Sequence, residues 1–263
     1  MSRTWLILLI AFATGAEADQ RPVLSLVIDD LGYSLKNGKA AIDLAGDHTY
    51  AILPGAIYSQ KLARLAHERN KEVILHLPMQ SISSKAAHEP NALNEAMDED
   101  QLTSNVHSLL AQIPFISGVN NHMGSHLTEF DFFMRPVMDS IRGYNPGLYF
   151  LDSRTSPRSV AYTQAVDAGL RSITRDVFLD NEANAESIRL QYKIWLTRAR
   201  ERGSAIAISH PYASTIEVLN RHLPGASDEF RFMRVSKLIE ERRIQNSSAR
   251  GSDQLSTLET LKQ

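Results

Sequence analysis

The pattern that most constrains this chain is a series of short, almost wholly apolar segments separated by amphipathic ones. β-Branched residues crowd positions 23–28, 49–53, 72–77, 117–121, 148–151, 171–174 and 205–209. Segments this short and this uniformly apolar suit strands buried on both faces, as in a parallel sheet covered by helices. The stretches between them read as helices. After "NEAMDEDQ", Leu102, Val106, Leu109, Leu110 and Ile113 fall on one helical face. Asp98 and Gln101 precede that face at the spacing of a capping box. Thr128 and Asp131 stand three apart ahead of another helical stretch, with Thr128 as its expected cap. Residues 187–202 place Ile188, Tyr192, Trp195 and Ala199 on one stripe and stop at Gly203. Strand followed by helix, repeated about seven times, implies a parallel sheet with crossover helices. No Rossmann glycine fingerprint occurs, which favours a (β/α) barrel, complete or not. A flavodoxin-like or Rossmann-like open sheet is the alternative.

The ends of the chain differ from this body. Arg3, the apolar run 5–13 and Ala16-Glu17-Ala18 read as a secretory signal peptide over 1–18, cut after Ala18. An uncleaved membrane anchor is the other reading, although the run is short for a bilayer span. Either way the body is expected outside the cytoplasm, periplasmic or secreted, with no stable membrane span once the signal is cut. The polar, Ser-rich end, 244–263, reads as a flexible tail. Residues 19–243 are then one domain. A net charge of −2 argues against generic nucleic-acid binding. The absence of cysteine leaves the core alone to hold the fold, and leaves only His, Asp, Glu and water as metal ligands.

Function in such folds collects at the carboxyl ends of the strands. The predicted strands end, in order, at Asp29-Asp30, then His76 in "VILHLPM", His122 in "GVNNHMGSH", Asp152 in "FLDSRTS", Asp176 in "TRDVFLD" and His210 in "ISHPY". Each residue alone has a bland explanation. A carboxylate after a strand often caps the next turn or pairs with a surface arginine, and a lone histidine is often structural. Their convergence on one rim is the unusual feature. Two or three imidazoles and a carboxylate suit Zn²⁺ or a similar divalent cation, whose open positions hold and acidify water. A carboxylate off the metal can take a proton, and a separate histidine can give one. His122 and His126 form an H-x₃-H, but Gly124 between them favours a loop, so spacing alone does not secure His126. The spacing D-x-D of haloacid-dehalogenase-type phosphatases is absent after the first strand, as is a G-x-S-x-G serine elbow.

The ordered set "IDDLG", "EVILHLPM", "GVNNHMGS", "FLDSRT", "TRDVFLD" and "ISHPY" resembles the divergent polysaccharide deacetylases, a branch of the NodB-like, family-four carbohydrate esterase group. The resemblance spans about residues 22–223 and implies an irregular, seven-stranded (β/α) barrel. It implies Asp29 as general base, Asp30 and His122 as metal ligands, and His210 as the acid. His76 is implied as third ligand, with His126 as its rival. Asp152, Arg154 or Asp176 would orient Asp29 or His210, or meet substrate. The implied activity is removal of N-acetyl groups from envelope or other polysaccharide, with zinc as cofactor. A glycan-binding or partner-binding barrel without turnover is the alternative.

Overall fold

The computed structural model describes residues 19–83, 91–245 and 247. The predicted signal peptide lies outside the described residues, as does the predicted tail except for 244, 245 and 247, which are helical. Among the described residues, nine parallel strands form one sheet. They are β1 (Val23–Leu31), β2 (Thr49–Ile52), β3 (Glu72–Met79), β4 (Ile116–Met123), β5 (Tyr149–Asp152), β6 (Arg171–Thr174), β7 (Val177–Phe178), β8 (Ser204–Ser209) and β9 (Arg231–Phe232). The order is β6-β5-β4-β3-β2-β1-β8-β7, with β9 beside the start of β1. The seven expected strands are all present. The two additional ones, β7 and β9, are two residues long, too short for any periodicity to reveal.

Helices α1 (Leu35–Ile42), α2 (Ser59–Glu68), α3 (Glu99–Leu110), α4 (Asp131–Tyr144), α5 (Ala161–Asp167), α6 (Ala185–Arg202) and α7 (Ala213–Ala226) supply the crossovers. The capping box of α3 forms as its sequence requires: Gln101 N donates to Asp98 Oδ1 at 2.8 Å and Asp98 N to Gln101 Oε1 at 3.0 Å. In α6 the stripe Ile188, Tyr192, Trp195 and Ala199 is buried, Asn184 caps the start, and Gly203 (φ 76°) ends it in the left-handed conformation. Thr128 does not cap α4. It sits in a 3-10 turn, Leu127–Glu129, and its hydroxyl donates to Gly124 O at 2.6 Å.

Sequence neighbours β6 and β7 lie at opposite ends of the strand order, joined only by Arg175 and Asp176. The sheet therefore curls until its two ends meet across that link, giving a barrel with an unpaired seam. Strand alternation sends one set of side chains outward and the other inward. Leu24, Leu26, Ile28, Leu75 and Leu77 pack outward under the helices. Val23, Val27, Ile74, Leu151 and Ile208 point into the barrel, where Val235, Leu238 and Ile239 of a terminal helix over 235–245 join them. This helix closes the barrel at the amino ends of the strands. Its first turn is fixed by Ser236 N donating to buried Glu72 Oε2 (3.3 Å) and Val235 N to Thr49 Oγ1 (3.0 Å). The carboxyl ends of the strands remain as the open mouth.

Candidate metal and catalytic centre

The site sits directly above the barrel's apolar interior. On β3, Ile74 points inward, so His76 two residues on does too. On β4, Val119 packs outward, so Asn120 and His122 face in. The register pairs His76 with Asn120 and Pro78 with His122, which sets the two imidazoles side by side. Both lie within their strands, not beyond them, because β3 and β4 run on to Met79 and Met123.

Asp29 and Asp30 reach the same space by a different route. Outward-facing Leu24, Leu26 and Ile28 keep a two-residue step, but the next outward residue is Leu31. Ile28 pairs with Tyr50 and Leu31 with Ile52, so β1 carries one residue more than β2 here. The extra residue is Asp30, with φ 58°, a left-handed conformation that costs about 1–2 kcal/mol outside glycine, less for Asp. The bulge turns both carboxylates toward the mouth. Met123 (φ 53°) and Arg154 (φ 48°) carry the same rare conformation at this rim, as strained residues at functional sites tend to.

Asp30 Oδ1 lies 3.1 Å from His76 Nε2 and 3.0 Å from His122 Nδ1, and the two nitrogens are 3.1 Å apart. Donors about 2.1 Å from one ion, at octahedral to tetrahedral angles, stand about 3.0–3.4 Å apart. Asp30 Oδ1 is also buried without a hydrogen-bond partner, although both nitrogens are close: the three atoms aim at a common point rather than at each other. The set therefore fits a divalent ion. Burial opposes ionisation of Asp30, but the two imidazoles outweigh it and hold the carboxyl well below the usual range.

Asn120 ties this set to Asp29. Its Nδ2 donates to Asp29 Oδ1 (2.9 Å) and Ser153 Oγ (3.2 Å), leaving Oδ1 to accept from His76 Nδ1 at 2.8 Å. That arrangement puts the His76 proton on Nδ1 and the Nε2 lone pair toward Asp30. Asp29 is buried, with Oδ2 3.6 Å from His76 Nε2. Desolvation raises its pKa, against the pull of His76, His210 and Asn120. A carboxylate so placed is a stronger base than one in water.

Across the mouth, His210 Nε2 lies 3.7 Å from Asp30 Oδ2. Its Nδ1 meets Asp180 Oδ1 at 3.0 Å, and its backbone N–H donates to Asp180 Oδ2 at 2.7 Å. Thr215 Oγ1 also donates to that carboxylate, at 2.7 Å. Burial disfavours charge on His210, but Asp180, Asp30 and Asp29 outweigh it and raise its pKa to about 9. The imidazole is thus held protonated at neutral pH. Tyr212 stacks on it with centroids 5.2 Å apart.

Four expected residues do not join this centre. His126 turns to Glu95, with Nε2 to Oε2 at 2.8 Å, because the chain leaves β4 in a turn before reaching it. Asp152 faces the loop after β5, accepting from Arg154 N (2.7 Å) and Ser159 Oγ (2.9 Å); its neighbour Ser153 is the one that contacts Asn120. The Arg154 guanidinium points to Pro157 O and orients neither Asp29 nor His210. Asp176 is spent on the sheet seam, accepting from Ile206 N (2.8 Å) and facing Arg202 (3.2 Å). The orienting residue for His210 is Asp180, the second aspartate of "TRDVFLD". Asn120 and Ser153 were also missed, since neither ionises.

The sequence profile of divergent polysaccharide deacetylases matches residues 26–239. YibQ, an uncharacterized protein of Escherichia coli, is 35% identical over 225 residues, 86% of this chain and 70% of its own length. An uncharacterized protein of Haemophilus influenzae is 33% identical over 221 residues, 84% of this chain and 78% of that one. Among solved structures, an uncharacterized protein from Agrobacterium tumefaciens superposes with a TM-score of 0.78 at 23% identity, covering 84% of this chain and 91% of that one. A mutant of the peptidoglycan deacetylase PdaC from Bacillus subtilis gives 0.51 at 13% identity, covering 90% and 98%. At such identities the two structures bear on the fold alone, a curled parallel sheet wrapped in helices.

Proposed function

The chain belongs to the divergent polysaccharide deacetylase family, and on that premise we propose that it is a metal-dependent hydrolase acting outside the cytoplasm. Its substrate is an N-acetylated polysaccharide, with envelope glycan the first choice. What supports this reading is one arrangement: a three-donor set flanked by a buried carboxylate of raised pKa and by an imidazole held protonated. Asp30, His76 and His122 would hold the ion, with zinc favoured by the two imidazoles. When bound, it supplies polarisation of the acetyl carbonyl and acidification of a water.

The remaining steps belong to side chains. Asp29 accepts the proton of the attacking water, and burial above an apolar floor strengthens it for that task. His210 donates its Nε2 proton to the departing sugar nitrogen, and Asp180, paired with Nδ1, favours the protonated ring until then. The products are acetate and a free amine, so each turnover exchanges one water for one acyl group. Asn120 holds Asp29 and His76 in register throughout. The signal-like sequence pattern of residues 1–18 is what supports a periplasmic or secreted location.

The test is acetate release from N-acetylated glycans by metal-loaded protein beside Asp29→Asn. Release well above the variant is expected. Equal release from both, over several glycans and metals, defeats the hydrolase reading. Tight metal binding and micromolar glycan affinity with no acetate would instead mark a binding module.

A further inference from the structure

The seam where β6 and β7 fail to pair leaves a cavity of about 640 Å³. It runs the length of β6, from Arg171 through Thr174, and is bounded by Arg154 above and by Arg242 and Arg243 of the terminal helix. Tyr162 of α5 forms part of its wall. Four arginines from three separate parts of the chain thus line one volume.

Their partners do not neutralise them. Among the described residues, Arg243 alone of the four has a carboxylate within ion-pair distance, Glu240 at 2.7 Å, which also feels the charge of Arg171. Arg154 and Arg171 donate to the backbone oxygens of Pro157 and Gly147, and Arg242 to Ser204 Oγ at 2.8 Å. Asp176, the other carboxylate acting on Arg242, is committed to Ile206 N and Arg202. Three formal positive charges are left around a cavity of ligand size, beside a strand edge that pairs with no other strand among the described residues. Guanidinium forks match oxyanions in pairs, and like charges held together favour a counter-ion carrying several charges.

We propose that this groove is a binding site for a multiply charged oxyanion of the oligophosphate type, separate from the metal centre and independent of the deacetylase reading. The two share no residue: the groove is lined at its inner side by Ile173 and Ile239 of the barrel filling, and none of Asp29, Asp30, His76, His122 or His210 belongs to it.

Titration calorimetry with tripolyphosphate tests it on the full chain. Micromolar binding is expected, weakening as salt rises. The double variant Arg154→Gln/Arg171→Gln, both exposed positions, should lose roughly tenfold or more, as charge-assisted hydrogen bonds imply. Thr174→Glu, which adds a carboxylate to the lining, should do the same by repulsion. Asp30→Asn removes a metal ligand and should leave the affinity unchanged. Binding abolished by Asp30→Asn would place the anion at the metal centre and overturn the proposal. Unaltered affinity in both groove variants, or no binding to the unmodified protein, would overturn it as well.

Discussion

Asp180 holds His210 twice, by the backbone N–H at 2.7 Å and by ring Nδ1 at 3.0 Å. One carboxylate thus fixes the position of the residue, the rotation of its ring and its charge. In the proposed role of proton donor His210 must be protonated, so activity should fall as pH rises through its pKa of about 9. Asp180→Asn removes the charge that keeps that value up. The alkaline limb of kcat should move toward neutral pH, and kcat at pH 8 should drop about 10–100-fold. A pH–rate profile unchanged in shape would show that Asp180 serves packing only.

Asn120 joins the proposed base, Asp29, to a proposed metal ligand, His76, and its removal should be felt in binding before chemistry. In Asn120→Ala, His76 Nδ1 loses its acceptor and Asp29 its donor. Zinc affinity, measured by competition with a chromogenic chelator, should fall about 10–100-fold, as for other outer residues that orient a ligating histidine.

The two rival third ligands separate cleanly. His76→Ala should abolish stoichiometric metal binding, while His126→Ala should keep it, because His126 is engaged with Glu95 instead. Equilibrium dialysis followed by metal analysis decides between them.

Metal binding should also depend on pH with a definite sign. Burial opposes a proton on His76, but Asp29 and Asp30 outweigh it and raise its pKa, so the ion competes with that proton. Affinity should weaken as pH falls, and loading at neutral pH should release protons into a weakly buffered solution. Proton uptake, or none, would mean that His76 is not a ligand.

His48 gives the fold an acid weakness. It is fully buried at the start of β2, with Nε2 to Ala45 O at 2.7 Å, and burial lowers its pKa from 6.5 to about 4. Between those values the unfolded chain binds a proton that the folded one refuses. Its contribution is therefore a loss of stability as pH falls from 6.5 toward 4, reaching roughly 3 kcal/mol. Urea unfolding at stepped pH should show this decline, and His48→Gln should flatten it.

The parts of the site legible in the sequence were those carried by periodicity. Inward-facing His76 follows from Ile74, and the ionisable residues at one rim follow from parallel strands. The errors have local physical causes. Periodicity ends at Asp176 and does not reach Asp180 because β7 is only two residues long; that brief strand carries the chain back to the barrel and delivers the second aspartate. Charge points to Asp152 and not to Ser153, because β5 ends one residue before the inward position. Asn120 drew no notice because it carries no charge, yet an amide alone can donate to a carboxylate while accepting from an imidazole.

The bulge at Asp30 makes the centre a matter of counting as much as of chemistry. Remove that one residue and Leu31 falls back into step behind Ile28, the outward row is continuous, and the sheet has no reason to fail. What vanishes is the second carboxylate at the mouth. A single-codon deletion should therefore leave a well-folded protein that no longer holds an ion, and a single-codon insertion into a plain barrel strand is the converse step by which such a centre can arise.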